Sequence, residues 1–167
     1  MSIKPENTRS KIEIPDIEYP SRMQFKTPAN DAYVSLVGQA VYAFTYLEWQ
    51  IVSIGEKIAP GFVEKTSKST AGKISEKFEE NLLTFSGTPD LKIDLDVLIQ
   101  DFKNVTERRN DLIHAHPATV NGEQRLHRWT TTKTVSWNPE DVLTLIHEVE
   151  KLAGRGNALF YDIRRWK

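Results

Sequence analysis

From Tyr33 to Ile58 the residues Tyr33, Val37, Ala40, Phe44, Leu47, Ile51, Ile54 and Ile58 recur in alternating steps of four and three. Only a helical period brings all of them to one face, and a stripe kept up for nearly four heptads belongs to a helix packed lengthwise in a bundle. Either Asn30 or Asp31 can cap its start, and Pro60-Gly61 stops it near Ala59. A second series, Val34 and Val41, widens the stripe, and seven residues on it meets Glu48, a charge on an apolar flank.

The rest of the chain continues the helical pattern with one interruption. A second helix is expected over roughly 69–85, presenting Ile74, Phe78, Leu82 and Phe85 before the turn Ser86-Gly87-Thr88-Pro89. A third, about 90–115, carries the seam Leu91, Leu95, Leu98, Phe102, Val105, Arg109 and Leu112, and Pro117 fixes its stop. Between 117 and 137 the period changes. The Asn121-Gly122 turn signal, flanked by Leu126, Trp129, Val135 and Trp137, predicts a β-hairpin or irregular ribbon. The last helix opens with Asn138 as cap and Pro139 at its first position, and Glu140 and Asp141 complement its dipole. Its face is Val142, Leu145, Ile146, Val149 and Leu152, with a kink expected at Gly154 and Gly156 before a further turn through Leu159, Phe160 and Ile163.

Residues 1–29 carry Pro5, Pro15, Pro20 and Pro28 and read as an extended arm, in which Ile12, Ile14 and Ile17 suit a groove or a sheet edge, with disorder as the alternative. The expected architecture is a single all-α domain over 30–167, a bundle of four to five helices with a small hairpin at about 118–137 before the last one. With no cysteine, thiolate metal sites and nucleophiles are excluded. The N-terminus has no apolar signal core and no run of about eighteen apolar residues occurs, so a soluble, cytoplasmic protein is expected.

Arg109 is the residue that this architecture does not explain. A guanidinium cannot be neutralised at ordinary pH, so on a buried seam it must meet an anion, water or a partner chain. The net charge is only −1, but residues 103–133 hold Lys103, Arg108, Arg109, Arg125, Arg128 and Lys133 against Glu107, Asp111 and Glu123. That imbalance predicts a local basic field that attracts an anion, or a solvated charged face. Five residues after Arg109 stands His114, near the helix C-terminus, where free carbonyls favour an imidazolium. Arginine with a titratable histidine suits phosphodiester chemistry. The guanidinium holds phosphate oxygens, and the imidazole moves protons to or from the reacting hydroxyls.

The string Arg109-Asn110-Asp111-Leu112-Ile113-His114 resembles the Arg-x4-His signature of the HEPN superfamily, in the form with a polar residue directly after the arginine. That family is a compact bundle of about four helices with the motif near the end of the third, where the periodicity had placed it. The resemblance implies a metal-independent endoribonuclease that needs no cofactor, with two motifs meeting across a homodimer interface, and products ending in a 2′,3′-cyclic phosphate and a 5′-hydroxyl. It implies that Arg109 stabilises the phosphate, His114 is the general acid/base, and Asn110 orients one of them. In one subgroup, paired with a nucleotidyltransferase antitoxin, a tyrosine follows the histidine by two residues; His116 stands there in this chain, so regulation by tyrosine modification does not carry over.

Supporting roles follow from position. Glu48 either pairs with Arg109 across the bundle or emerges to solvent, His116 is a second proton carrier or a pre-proline cap, and Asp111 supports the motif. Arg108, Arg125 and Arg128, with His127, are candidate contacts to RNA phosphates, and Trp129 is either a stacking surface or packing. Trp49 and Trp137 belong to core or interface. His114 and His116 alone are too few for a metal site.

The leading expectation is a homodimeric ribonuclease of toxin–antitoxin, antiphage or stress-response type, acting on RNA and regulated by an antitoxin or other protein. The alternatives are a non-catalytic dimer of the same fold that binds RNA, a nucleotide or a protein, and a structural bundle in which Arg109 simply pairs with Glu48.

Overall fold

A computed structural model describes residues 30–166, with side chains as far as Ile163. The expected arm over 1–29 lies outside the described residues. The first element, α1 (Asp31–Ile58), begins where the Asn30 side chain accepts the Tyr33 N–H at 3.1 Å. It ends at Ala59, which is extended, and the chain reverses through Gly61 at φ +87°. A short helix that periodicity did not foresee follows, α2 (Phe62–Thr66). The Glu56 carboxylate holds its start by accepting the N–H groups of Gly61 and Val63, each at 2.9 Å. Phe62 is buried directly over Gly55, where a Cβ would lie 2.3 Å from the ring.

Two antiparallel neighbours come next, α3 (Ala71–Thr84) and α4 (Pro89–Ile113), capped by Thr70 and Thr88. The seam of α4 is buried from Leu91 to Leu112, and Phe102 stacks on Phe44 of α1 at 5.7 Å between ring centroids. The final helix, α5 (Pro139–Trp166), packs along the length of α1. Its start is closed by Asp141, whose carboxylate accepts both the backbone and side-chain N–H groups of Asn138 at 3.0 and 3.1 Å. No break occurs at Gly154 or Gly156, contrary to the expected kink. Gly156 faces α1 at ordinary packing distance, a Cβ there standing 3.4 Å from Gln50 Oε1 and 3.7 Å from Ile54, and Gly154 has open space around it. Packing of α1 against α5 offsets the roughly 1 kcal/mol that a glycine costs within a helix.

Between α4 and α5 lies a three-stranded antiparallel sheet in the order β1 (His116–Val120), β2 (Glu123–Trp129), β3 (Thr134–Trp137). The first two strands are the hairpin expected from Asn121-Gly122, whose φ values of 52° and 82° match the turn that suits twisted strands. The third strand was not expected. It is turned back by Thr130, whose hydroxyl accepts the Lys133 N–H at 2.9 Å. Tyr33 ties this sheet to the bundle, its hydroxyl donating to the Trp137 carbonyl at 2.7 Å and accepting the Leu126 N–H at 3.1 Å.

The described residues are therefore mostly helical, with five helices and one small sheet among them. Trp137 is buried, as assigned, whereas Val34, Val41 and Trp49 are exposed, so the second apolar series of α1 is not core. Among the described residues, no helix is long and apolar enough to cross a membrane.

Candidate functional site

The seam of α4 turns Arg109 toward α1, because the steps that bury Phe102 and Val105 carry the next residue of the stripe into the same crevice. Its guanidinium carbon stands 4.2 Å from the centroid of the Phe44 ring, and its Nη2 lies 3.7 Å from Glu48 Oε2. The side chain is 19% exposed. A separation of 3.7 Å is an ion pair but too long for a hydrogen bond, and the buried Nε has no hydrogen-bond partner among the described residues. Arg109 thus rests on an aromatic face with its fork of five N–H donors largely unspent.

Burial acts on both members of this pair. It holds the Glu48 carboxyl above the usual glutamate range even though Arg109 pulls the other way. It also draws the Arg109 guanidinium below its ordinary value, with Glu48 opposing. In each case desolvation outweighs the attraction, the mark of a loose pair in a partly dry crevice.

The remaining motif residues sit at the end of α4. His114 is the C-cap, at φ −96° and ψ 5°, and its side chain is exposed. Its N–H donates to the Asn110 carbonyl at 3.1 Å, and its own carbonyl accepts from Arg128 Nη1 at 3.0 Å. Arg128 therefore closes the helix end that carries the histidine, and its buried Nε is unpartnered. Asn110 is exposed on the face next to Arg109. No hydrogen bond or ring contact joins Arg109 to His114; the first faces α1 and the second opens to solvent.

The expected basic field does not form. Of the six cations between 103 and 133, five meet a carboxylate: Lys103 with Glu79, Arg108 with Glu148, Arg109 with Glu48, Arg125 with Glu123, and Lys133 with Asp111. Three of those acids lie outside the segment, so a count along the sequence could not register them. Arg108 is drawn toward α5 and the Trp137 ring, 6.0 Å away, while Arg125 lies over Tyr33 at 5.1 Å. Neither joins Arg109. Asp111 is engaged with Lys133 at the turn between β2 and β3, away from Glu48.

Sequence reasoning missed a row of polar side chains across the sheet. His116 is the register partner of His127, and His127 that of Ser136. Directly opposed residues of antiparallel strands share a face. His127 Nδ1 lies 2.7 Å from Ser136 Oγ, and its ring is 4.2 Å from that of Trp129. The signal was available only as strand alternation once the third strand was known. Among the described residues no group of three or more metal-ligating side chains is assembled.

The chemistry on offer is a guanidinium facing α1 and an exposed imidazole at the end of the same helix, with no contact between the two. Comparison with protein-family models, curated proteins and solved structures finds no match to this chain.

Proposed function

We propose that the protein is a HEPN-like, metal-independent endoribonuclease, with Arg109 as the phosphate-binding group and His114 as the proton-transfer group of a site completed in a homodimer. The observation that carries this reading is the state of Arg109: a half-buried guanidinium on the Phe44 ring, with an unpartnered Nε and a counter-ion no closer than 3.7 Å. A purely structural arginine on a helix seam would be saturated by hydrogen bonds, since an unsatisfied buried donor costs about 1–3 kcal/mol. A phosphate approaching Arg109 would gain those donors and displace Glu48.

In the proposed reaction the ribose 2′-oxygen attacks the adjacent phosphorus and gives up its proton to a base. The bond from phosphorus to the 5′-oxygen breaks, and that oxygen takes a proton. His114, at the exposed C-cap, would carry one of these protons, and a second copy would supply the other imidazole. Charge building on the phosphoryl oxygens falls to Arg109. Asn110 and His116 flank the path, and Glu48 competes with the phosphate for the guanidinium.

A second reading has its own support. Within the alternative of a fold of the same kind that does not catalyse and instead binds RNA, a nucleotide or a protein, pairing of five of the six nearby cations with carboxylates favours the protein partner. The deciding experiment incubates the full chain with mixed RNA in chelator, beside Arg109→Ala and His114→Ala. The ribonuclease reading expects cleavage by the wild type and a loss of about 100-fold or more in each variant. Absence of cleavage would leave the binding module, and equal cleavage by all three would overturn the catalytic roles of Arg109 and His114.

A further inference from the structure

Helix α1 has no charged outer face. From residue 32 to residue 55 its only charged side chain is Glu48, and that one is turned to Arg109. Its solvent side instead exposes Tyr42 at 79%, Tyr46 at 54% and Trp49 at 59%, flanked by the exposed Val34 and Val41. A solvated helix of a globular protein carries charge on its outer face, as α3 does with Glu76 and Glu80. Large exposed aromatics in a contiguous stripe mark a surface that is covered by something else.

We propose that this face of α1 binds a second copy of the chain, the two α1 helices crossing antiparallel about a two-fold axis between residues 45 and 46. The character of the stripe selects the occupant. RNA or an anionic membrane surface would require cations, and the stripe offers none. Its partner must be uncharged and aromatic, as the stripe itself is. The spacing is also self-complementary: reflection about 45–46 sets Tyr42 against Trp49, Gly38 against Ser53, and Thr45 against Tyr46. Aromatic rings bury about 150–250 Å² each, so the exposed parts of these three contribute on the order of 400 Å² per copy. That is about half of the roughly 800 Å² per partner of a stable interface, with the remaining length of α1 to add to it. Beside the stripe, on the flank away from Glu48, grooves of about 440 and 360 Å³ open between α1 and α5 and give the partner's side chains room.

This arrangement has a consequence for the site, and that part alone rests on the ribonuclease reading. A two-fold perpendicular to a pair of antiparallel helices keeps equivalent flanks on the same side. Both Glu48–Arg109 pairs therefore face one common cleft. Glu48 lies between two and three residues from the axis, so with a 1.5 Å rise and helices 8–10 Å apart the two Glu48 backbones stand roughly 12 Å from each other. A single RNA strand entering that cleft meets both motifs.

Sedimentation equilibrium without RNA tests the interface. The wild type is expected to be a dimer, Tyr46→Glu to weaken it by ~30-fold or more with an unchanged circular-dichroism spectrum, and Leu83→Glu, at an exposed site on α3, to leave it intact. Because the chain has no cysteine, Tyr46→Cys gives a second measurement that keeps the native fold: it is expected to form a disulfide-linked dimer, and Leu83→Cys is not. A monomeric wild type, a Tyr46→Glu protein that dimerises as well as wild type, or a Tyr46→Cys protein that does not cross-link overturns the proposal. A dimer that cleaves RNA and is unaffected by Tyr46→Glu removes this interface and leaves the nuclease; a dimer through α1 without cleavage does the reverse.

Discussion

Arg109 is held by contacts that each leave something undone. The Phe44 ring gives it a face worth about 0.5–2 kcal/mol, Glu48 gives it charge without a hydrogen bond, and its Nε has no acceptor. Such a group is oriented by packing and still free to bind. The same crevice sets a pH dependence through Glu48. Burial raises its carboxyl pKa in the folded state, so the folded protein favours the protonated acid; this contribution is complete below the unfolded pKa and is lost as pH rises through the folded one. Glu48→Gln removes that loss. Its melting temperature should exceed that of wild type once pH is above the ordinary glutamate range, and the difference should close below it. On the ribonuclease reading Glu48 competes with phosphate for Arg109, so the same variant should bind RNA several-fold more tightly near neutral pH in a filter-binding titration. Weaker binding would mean that Glu48 holds Arg109 in place.

Among the elements, one hydroxyl from α1 ties two strands of the sheet to the bundle. Leu126 and Trp137 are register partners at the end of the β2–β3 ladder, and Tyr33 bridges the N–H of the first and the carbonyl of the second. Its burial raises the phenol pKa, with the Leu126 N–H and Arg125 acting to lower it. Tyr33→Phe strips both backbone groups of their partner and should cost about 1–3 kcal/mol in urea unfolding, with faster amide exchange at Leu126 than in wild type. A variant as stable as wild type would show that water replaces the hydroxyl at no cost. The long helices were legible because periodicity, caps and stops agreed: Asn30, Pro60-Gly61 and Asn138 stand where α1 and α5 begin or end. α2 was not, because a five-residue helix has too few turns to show a period and owes its start to Glu56 across a turn. The kink expected at Gly154 and Gly156 does not occur because the weak helix propensity of two glycines is overridden by the packing of α5 along α1.

For the whole molecule, legibility stops at pairing between distant segments. Arg109 on its seam and the Glu48 contact could be read from spacing, since both are helix-face properties. The neutralised field could not, because Arg108 meets Glu148 forty residues away and Lys103 meets Glu79 twenty-four residues back. Nor could the imidazole row of His116 and His127, which exists only in the register of the sheet. What the described residues present is Arg109 with no hydrogen bond from its guanidinium, an exposed helix-terminal His114, and an uncharged aromatic face on the helix that carries Glu48. The most direct test of the ribonuclease account is mass spectrometry of the RNA termini left by the wild-type protein in chelator. The account predicts 2′,3′-cyclic phosphate and 5′-hydroxyl ends, made by the wild type and lost with His114→Ala. Intact RNA, or ends bearing 5′-phosphate, would contradict it.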